Sequence, residues 1–307
     1  MAAAFCSPID KRQKHCSNWR RSDSSHLEDD IKKRIVRVLK FYLWTNPRLL
    51  RWVRIIRAFI ILGPTGVPLL ALCQRFSKCA RQRTEAYPKF SHVEVDEVVS
   101  VLENIGSAHI GYLPPDYLNE ILAYCARDNQ VSYWNPHLSC DAIDRIARNA
   151  KILEIARNYL GAEPRLWLTR LNWTFSLADE PNKSASFKKN IAEYNFHDFH
   201  YDTHDFKALT IFIYLTDVTM ESGPHVFIRG THRSKSLREI KNISISDAVA
   251  TQLYRDRIQF VLGTTGTIFA EDTRCYHKAA VCKNTNRLIA SFDYVIRRKI
   301  PALPQPH

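Results

Sequence analysis

Residues 195–206 read N-F-H-D-F-H-Y-D-T-H-D-F and carry three histidines and three aspartates. Imidazole nitrogens and carboxylate oxygens are ligands for divalent metals, so the question is which of these side chains can share one ion. On a strand, residues i and i+2 leave the same face. His200-x-Asp202 is the one His-x-Asp triplet in the stretch. His197 lies an odd number of positions from His200, which sends it to the opposite face of a regular strand. His204 has the right parity but would sit ~13 Å along an extended chain, too far to share a metal with His200.

Spacing of this kind arises by chance, and the chain holds three His-x-acid triplets: His26-x-Glu28, His92-x-Glu94 and His200-x-Asp202. The first lies in a polar tail and the second just before a helix. The third leads into a long apolar strand and has partners downstream. His277 stands in G-T-I-F-A-E-D-T-R-C-Y-H-K, just past a strand, and Arg287 opens the next apolar run. Two imidazoles and one carboxylate leave open positions on the ion, a set suited to Fe(II) chemistry with oxygen. A guanidinium nearby can take a carboxylate bidentately. The bland alternative for His200, Asp202, His277 and Arg287 is a satisfied cluster of ion pairs and hydrogen bonds.

Other polar residues receive plainer readings. His225 in G-P-H and His232 in G-T-H read as loop-organising hydrogen-bonders. His197, Asp198, His204 and Asp205 either line a mouth and touch substrate or form a solvated rim. Trp167 and Trp173 read as core.

Elements that could position such a site follow from hydrophobic period. V-D-E-V-V-S-V-L-E-N-I-G has apolar residues at three-to-four spacing and ends on Gly106 as a C-cap. P-P-D-Y-L-N-E-I-L-A-Y-C-A-R is a second helix with Pro at its start. S-C-D-A-I-D-R-I-A-R-N-A-K-I-L-E-I-A-R-N-Y-L-G is a third, with a break expected near Asn149 and Gly161 closing it. Strand-like runs then cover 165–176, 208–217, 256–262, 266–270 and 287–296. Helices first and short strands after predict an α+β domain whose strands close on themselves as a sandwich or barrel.

Charge divides the chain. Its net charge is +13. Residues 1–90 hold 19 Lys+Arg against 6 Asp+Glu, whereas residues 91–307 hold 25 of each. The expected division is therefore a basic extension, 1–90, and a balanced domain, 91–307. Residues 1–30 are polar and Ser-rich, a composition typical of disorder. Arg48, Arg51, Arg54 and Arg57 recur every third residue among apolar side chains, a cationic stripe beside an apolar one on a helix. The uncharged run from Ala58 to Cys73 is broken by Gly63, Pro64, Gly66 and Pro68 and is shorter than the ~20 residues needed to cross a bilayer. Residues 31–83 then read either as a helical cap on the main domain or as a segment docking on an anionic membrane surface. A basic patch without a zinc-finger or helix-turn-helix pattern is weak ground for nucleic acid, and none is expected as partner. The eight cysteines form no C-x-x-C pair, and the N-terminus has no secretory pattern. They read as reduced thiols of a cytoplasmic protein, at most peripheral to a membrane.

The stretch F-H-Y-D-T-H-D-F-K-A-L-T-I-F-I-Y-L-T-D-V-T-M-E-S-G-P-H-V-F-I-R-G-T-H-R, followed by E-D-T-R-C-Y-H-K and Arg287, resembles the phytanoyl-CoA dioxygenase family of Fe(II)/2-oxoglutarate oxygenases. The likeness runs from about residue 95 to 297, takes in R-N-Y-L-G-A-E-P, and leaves out residues 1–90. It implies a double-stranded β-helix, a jelly-roll or cupin-like barrel, with flanking N-terminal helices. It also implies iron held by His200, Asp202 and His277, and Arg287 paired with the distal carboxylate of 2-oxoglutarate. Asn172 and Thr210 are candidates for a second co-substrate anchor. The reaction implied consumes O2, releases succinate and CO2, and hydroxylates a small or lipid-like molecule. Where halogenating relatives have a small residue in place of the carboxylate, this chain has Asp202, which favours hydroxylation or another hydrogen-abstraction outcome. Members of the family often have Gly near Cys275 and at the position of Ala279, so the loop around His277 departs from the pattern.

Two rivals stand beside this expectation. A zinc-dependent cupin-like hydrolase or isomerase would use the same His-Asp-His set but leaves Arg287 without a special task, and no H-E-x-x-H is present. A non-catalytic barrel docking through its basic segment would not need all three ligands. Specificity is expected in residues 177–199 and 230–255.

Overall fold

The computed structural model describes residues 94–128, 130–176, 198–233 and 235–296, with isolated positions between 52 and 74. All of these from Ile55 onward fall in one compact unit, Ile55–His307. His197, the tail 1–30 and most of the basic segment lie outside the described residues.

Four helices, with two strands between them, precede the long strand Arg165–Thr174. In α1 (Val95–Ile105) the buried residues Val95, Val98 and Leu102 recur at three-to-four spacing. Gly106 ends the helix in the left-handed region at φ 100°, its N–H bonded to Leu102 O. A side chain there would collide with Cys275 and His232 as well as strain the backbone. α2 (Pro115–Asp128) begins on the expected proline, which has no N–H to leave unsatisfied at a helix start. The third helix is two: α3 (Asp141–Ala147) and α4 (Ala150–Leu160). Asn149 separates them because its side-chain oxygen caps α4, accepting from Lys151 N and Ile152 N.

The strands are β1 (Ser107–Tyr112), β2 (Ser132–Trp134), β3 (Arg165–Thr174), β4 (Phe199–His200), β5 (Ala208–Tyr214), β6 (His225–Ile228), β7 (Ser244–Ile245), β8 (Ile258–Val261), β9 (Thr267–Glu271), β10 (His277–Ala279) and β11 (Arg287–Val295). They form a six-stranded sheet in the order β1-β9-β5-β11-β3-β2 and a five-stranded sheet in the order β7-β4-β10-β6-β8. From β3 to β6 the chain alternates between large and small sheet, and it does so again from β8 to β11. All pairings are antiparallel. This is the double-stranded β-helix. Two short helices, α5 (Leu237–Lys241) and α6 (Asp247–Tyr254), lie between β6 and β8.

Register partners share a face, and the large sheet sorts its residues accordingly. Leu171, Ile211, Ile213, Ile268, Leu288 and Ala290 form a core with Leu102, Ile146 and Leu153 of the helices. On the opposite face Phe212, Tyr214, Phe269 and Ile289 form a second cluster, inside the barrel. β5 and β11 are buried along their whole length, which is why their sequences are nearly continuous apolar runs. Leu70 packs against the helix-side core, and Gln74 Nε2 donates to Leu160 O at 2.7 Å. These two positions of the basic segment thus make cap-like contacts with the domain.

Candidate metal centre

His200 ends β4 and His277 begins β10, and the two are direct partners in that antiparallel ladder. Their rings lie 4.5 Å apart, centroid to centroid. Asp202 follows two residues later, beyond the end of β4, where its N–H donates to Thr273 O at 2.8 Å. Ligand atoms of His200, Asp202 and His277 all fall within 4.8 Å of one another. Asp202 Oδ2 is 4.0 Å from His277 Nε2.

The loop from β9 to β10 leads into His277 and, through Thr273 O, holds Asp202, and it is braced. Asp272 is fully buried and accepts from Tyr159 OH and from Arg274, whose Nη1 also donates to Phe206 O at 2.8 Å. Asp272 N–H donates to Gly106 O, and Tyr276 N–H to Thr231 Oγ1 at 2.9 Å. Burial alone would raise the Asp272 carboxyl, but the Arg274 guanidinium brings it down to about 2. The loop's anchor is therefore an ion pair at neutral pH.

Tautomer and charge suit a cation. His200 Nδ1 lies 3.2 Å from Asp198 O and His277 Nδ1 lies 3.0 Å from Cys275 O. A carbonyl only accepts, so Nδ1 carries the proton in each ring and Nε2 is the basic nitrogen. Burial lowers both imidazoles, His277 to about 4, which keeps them neutral as metal ligands require. Burial would raise Asp202, but His204, His277 and His200 hold it well below the usual carboxylate range. Two neutral imidazoles and one carboxylate are a donor set that fits Fe(II).

Arg287 begins β11 on the barrel's inner face, 4% exposed. It donates to Gly223 O and, from Nη2, to Thr174 Oγ1 at 3.2 Å. No carboxylate of the described residues pairs with it, and its buried Nε has no partner. An unpaired buried cation is costly unless something else completes it, and a bound carboxylate would do so. Gly223 is specific to this seat. Its φ is +68°, and a Cβ would come within 2.6 Å of Ala280 O and 2.8 Å of Cys282 N.

The other expected residues are distributed as follows. Thr210 sits on the inner face of β5, but its Oγ1 donates to Asp293 Oδ1 at 2.8 Å. Asn172 is half-buried on β3, with Oδ1 accepting from Ser132 at 2.5 Å. Both anchor candidates thus already have protein partners. His204 packs at a tilt against Trp167, centroids 4.3 Å apart, and places Nε2 3.2 Å from Asp202 Oδ2. His204 stays outside the ligand set, as expected, but β4 ends at His200 and the chain bends over residues 204–207, which brings it against Asp202. Burial works against protonation of His204, yet Asp202 raises its pKa overall. Asp205 is neither mouth nor rim. It is fully buried, with Oδ1 accepting from Phe206 N and Oδ2 from Ile296 N. Trp173 packs against the helix-side core, whereas Trp167 is the platform under His204.

His225 is no loop histidine. It lies buried on β6, Nε2 2.7 Å from Glu271 Oε2 of β9 in the opposite sheet. Burial pushes Glu271 up to about 8 and His225 down to about 3. Glu271 Oε1 lies 3.9 Å from His277 Nδ1 and has no hydrogen-bond partner. Neither residue drew a functional reading from sequence, because β6 is four residues long and Glu271 ends an otherwise apolar strand. His232 does organise a loop, between Glu103 O and Cys275 Sγ.

No protein-family model matches the chain. A protein of Stutzerimonas stutzeri named "Probable alpha-ketoglutarate-dependent hypophosphite dioxygenase" is 23% identical over 209 residues, covering 64% of this chain and 69% of that protein. Among solved structures, EctD from S. alaskensis with bound Fe is 15% identical, at a TM-score of 0.48 over 70% of this chain and 82% of that one. The non-heme alpha ketoglutarate dependent epimerase SnoN from nogalamycin biosynthesis is 18% identical, at 0.47 over 66% and 82%. Structural likenesses at this level add nothing to the strand order and site geometry above.

Proposed function

We infer that this chain is an Fe(II)- and 2-oxoglutarate-dependent oxygenase acting on a small molecule. The observation that carries the reading is the pairing of His200, Asp202 and His277 with the unpaired, buried Arg287 inside one barrel. The dioxygenase named in Stutzerimonas stutzeri supports it independently. A zinc hydrolase would use the same three ligands but has no need of a buried guanidinium seated on Gly223.

When bound, Fe(II) with the oxo-acid supplies O2 activation and oxidative decarboxylation to succinate and CO2. What the chain's own residues do can be derived. His200 and His277 present neutral imidazole through Nε2, with Nδ1–H committed to backbone carbonyls. Asp202 adds the one negative charge, and His204 holds that carboxylate from the side. Arg287 receives the far carboxylate of the co-substrate, which sets its direction along the barrel. Phe212 and Phe269 line part of the interior with apolar surface.

Anaerobic addition of Fe(II) and then 2-oxoglutarate to the purified protein tests this through a visible charge-transfer band. A saturable band, absent in Asp202→Ala and weakened in Arg287→Ala, is the expected result. A folded, iron-loaded protein with no band would overturn the reading.

The sequence likeness extends the proposal to the phytanoyl-CoA dioxygenases, to a lipid-like substrate among the candidates, and to a cytoplasmic setting. The basic segment supports docking on anionic membranes. No helix of the described residues is long and apolar enough to cross one. Co-sedimentation with anionic vesicles, comparing the full chain with residues 91–307, separates docking from capping. Equal binding by the two would remove the docking proposal.

A further inference from the structure

The start of β6 lies between the seat of the guanidinium and the metal ligands. Gly223 O accepts from Arg287, and Phe227 is the register partner of His277. His225 lies between them, opposite Ala279. Gly223 lies just before β6 and Phe227 within it, so His225 is two residues from each. Its ring packs against Phe212 at 4.8 Å and Phe269 at 5.6 Å, both from the opposite sheet. It also lies 5.6 Å from the ring of His277, with planes 24° apart.

His225 is held from two sides. Its backbone N–H donates to Tyr214 OH at 3.1 Å, and Nε2 meets Glu271 Oε2 at 2.7 Å. Nδ1 makes no hydrogen bond to a described residue. A His–Glu bond joining the two sheets inside an aromatic cluster is an expensive way to fill space that apolar side chains would fill more cheaply. One oxygen of Glu271 is left without a partner besides. Buried polar groups in this condition mark a site that a ligand completes.

We propose that His225, oriented by Glu271, is a co-substrate contact: its Nδ1 edge meets an oxygen of 2-oxoglutarate midway between the metal ligands and Arg287. The proposal rests on the oxygenase reading, since it needs an oxo-dicarboxylate lying along that line. Arg287 fixes one end of the molecule and the metal the other. His225 would add a contact in between and so bear on which oxo-acid fits.

The test separates co-substrate affinity from metal affinity. His225→Gln puts an amide near the position of Nε2, where it can still reach Glu271, and removes Nδ1. His225→Leu fills the volume with no polar atom, so a failure to fold in one variant leaves the other. Co(II) absorption, without co-substrate, gives the metal affinity. The anaerobic Fe(II) charge-transfer band gives the 2-oxoglutarate affinity. The expected result is unchanged Co(II) binding with 2-oxoglutarate binding weakened about 10-fold, as for loss of one hydrogen bond to a charged group. Wild-type affinity for 2-oxoglutarate in either folded variant overturns the proposal. A wild-type protein with no band removes the oxygenase reading itself. A wild-type band lost in Arg287→Ala but untouched in the His225 variants removes only this inference.

Discussion

His200 and His277 face each other across a single rung of the β4–β10 ladder, their ring centroids 4.5 Å apart. The two come from strands 77 positions apart in sequence, and the barrel's alternation between sheets brings them together. Because the pairing is built into backbone hydrogen bonding, the ligand pair is pre-formed before any ion arrives. Substituting either histidine, or Asp202, by alanine is expected to weaken Co(II) or Fe(II) binding by more than about 100-fold, beyond the range for residues that merely support a ligand. Metal titration with circular dichroism on the same samples checks this. Retained affinity in a folded His277→Ala protein would remove His277 from the set.

Metal affinity should resist mild acid. Burial lowers His277 to about 4 and lowers His200 as well. A proton competes with the metal only below the pKa of the neutral imidazole, so a lowered value moves the competition to lower pH. An ordinary histidine, at about 6.5, would begin losing affinity near neutrality. Co(II) binding is therefore expected to change less than about threefold between about pH 7.5 and 6, and to fall steeply only as the pH approaches the lowered values. A tenfold loss already at about pH 6 would contradict the burial argument.

The long elements were legible because one physical signal dominated each. Period and caps located α1, α2 and α4, and β5 and β11 stood out because both faces are buried. Of the small sheet, β8 fell within the expected run 256–262, and its shortest strands were not legible. β4, β7 and β10 have two or three residues each, too few for any period, and β10 carries charge. The ligands sit on those strands, so motif spacing located His200 and Asp202 but could not tell that Asp202 lies past the strand end. For the same reason the contact of His204 Nε2 with Asp202 Oδ2 could not be foreseen. A distance drawn along an extended chain fails once the chain turns back. The Glu271–His225 bond joins two sheets across 46 positions, and nothing local in sequence announces such a pairing.

Arg287 and lysine should not be interchangeable. The guanidinium donates to Gly223 O and Thr174 Oγ1 while its Nε stays unpaired. Its fork can hold the backbone and still present donors to a carboxylate, whereas an ammonium is a point donor on a flexible stem. Arg287→Lys is expected to weaken 2-oxoglutarate about 10- to 100-fold, the range for losing charge-assisted hydrogen bonds, and Arg287→Ala by at least as much. Neither should alter Co(II) affinity measured without co-substrate. Wild-type 2-oxoglutarate affinity in Arg287→Lys would mean that the carboxylate is held elsewhere.

Asp272 should matter to stability and to the site at once. It is fully buried and pairs with Arg274 at 2.5 Å, while Arg274 reaches on to Phe206 O and Asp272 N–H to Gly106 O. Removing the carboxylate leaves a guanidinium with its side chain only 13% exposed and no counter-charge. Breaking a buried pair from one side costs about 3–5 kcal/mol. Asp272→Ala is expected to lower the unfolding free energy by that amount, seen as a lower urea midpoint at an unchanged slope. The loop it braces carries Thr273 O, which holds Asp202, and ends at His277. Metal affinity in the variant, measured well below its unfolding temperature, should therefore fall as well. A loss of stability with wild-type Co(II) affinity would show that the loop keeps its ligands in place without this anchor.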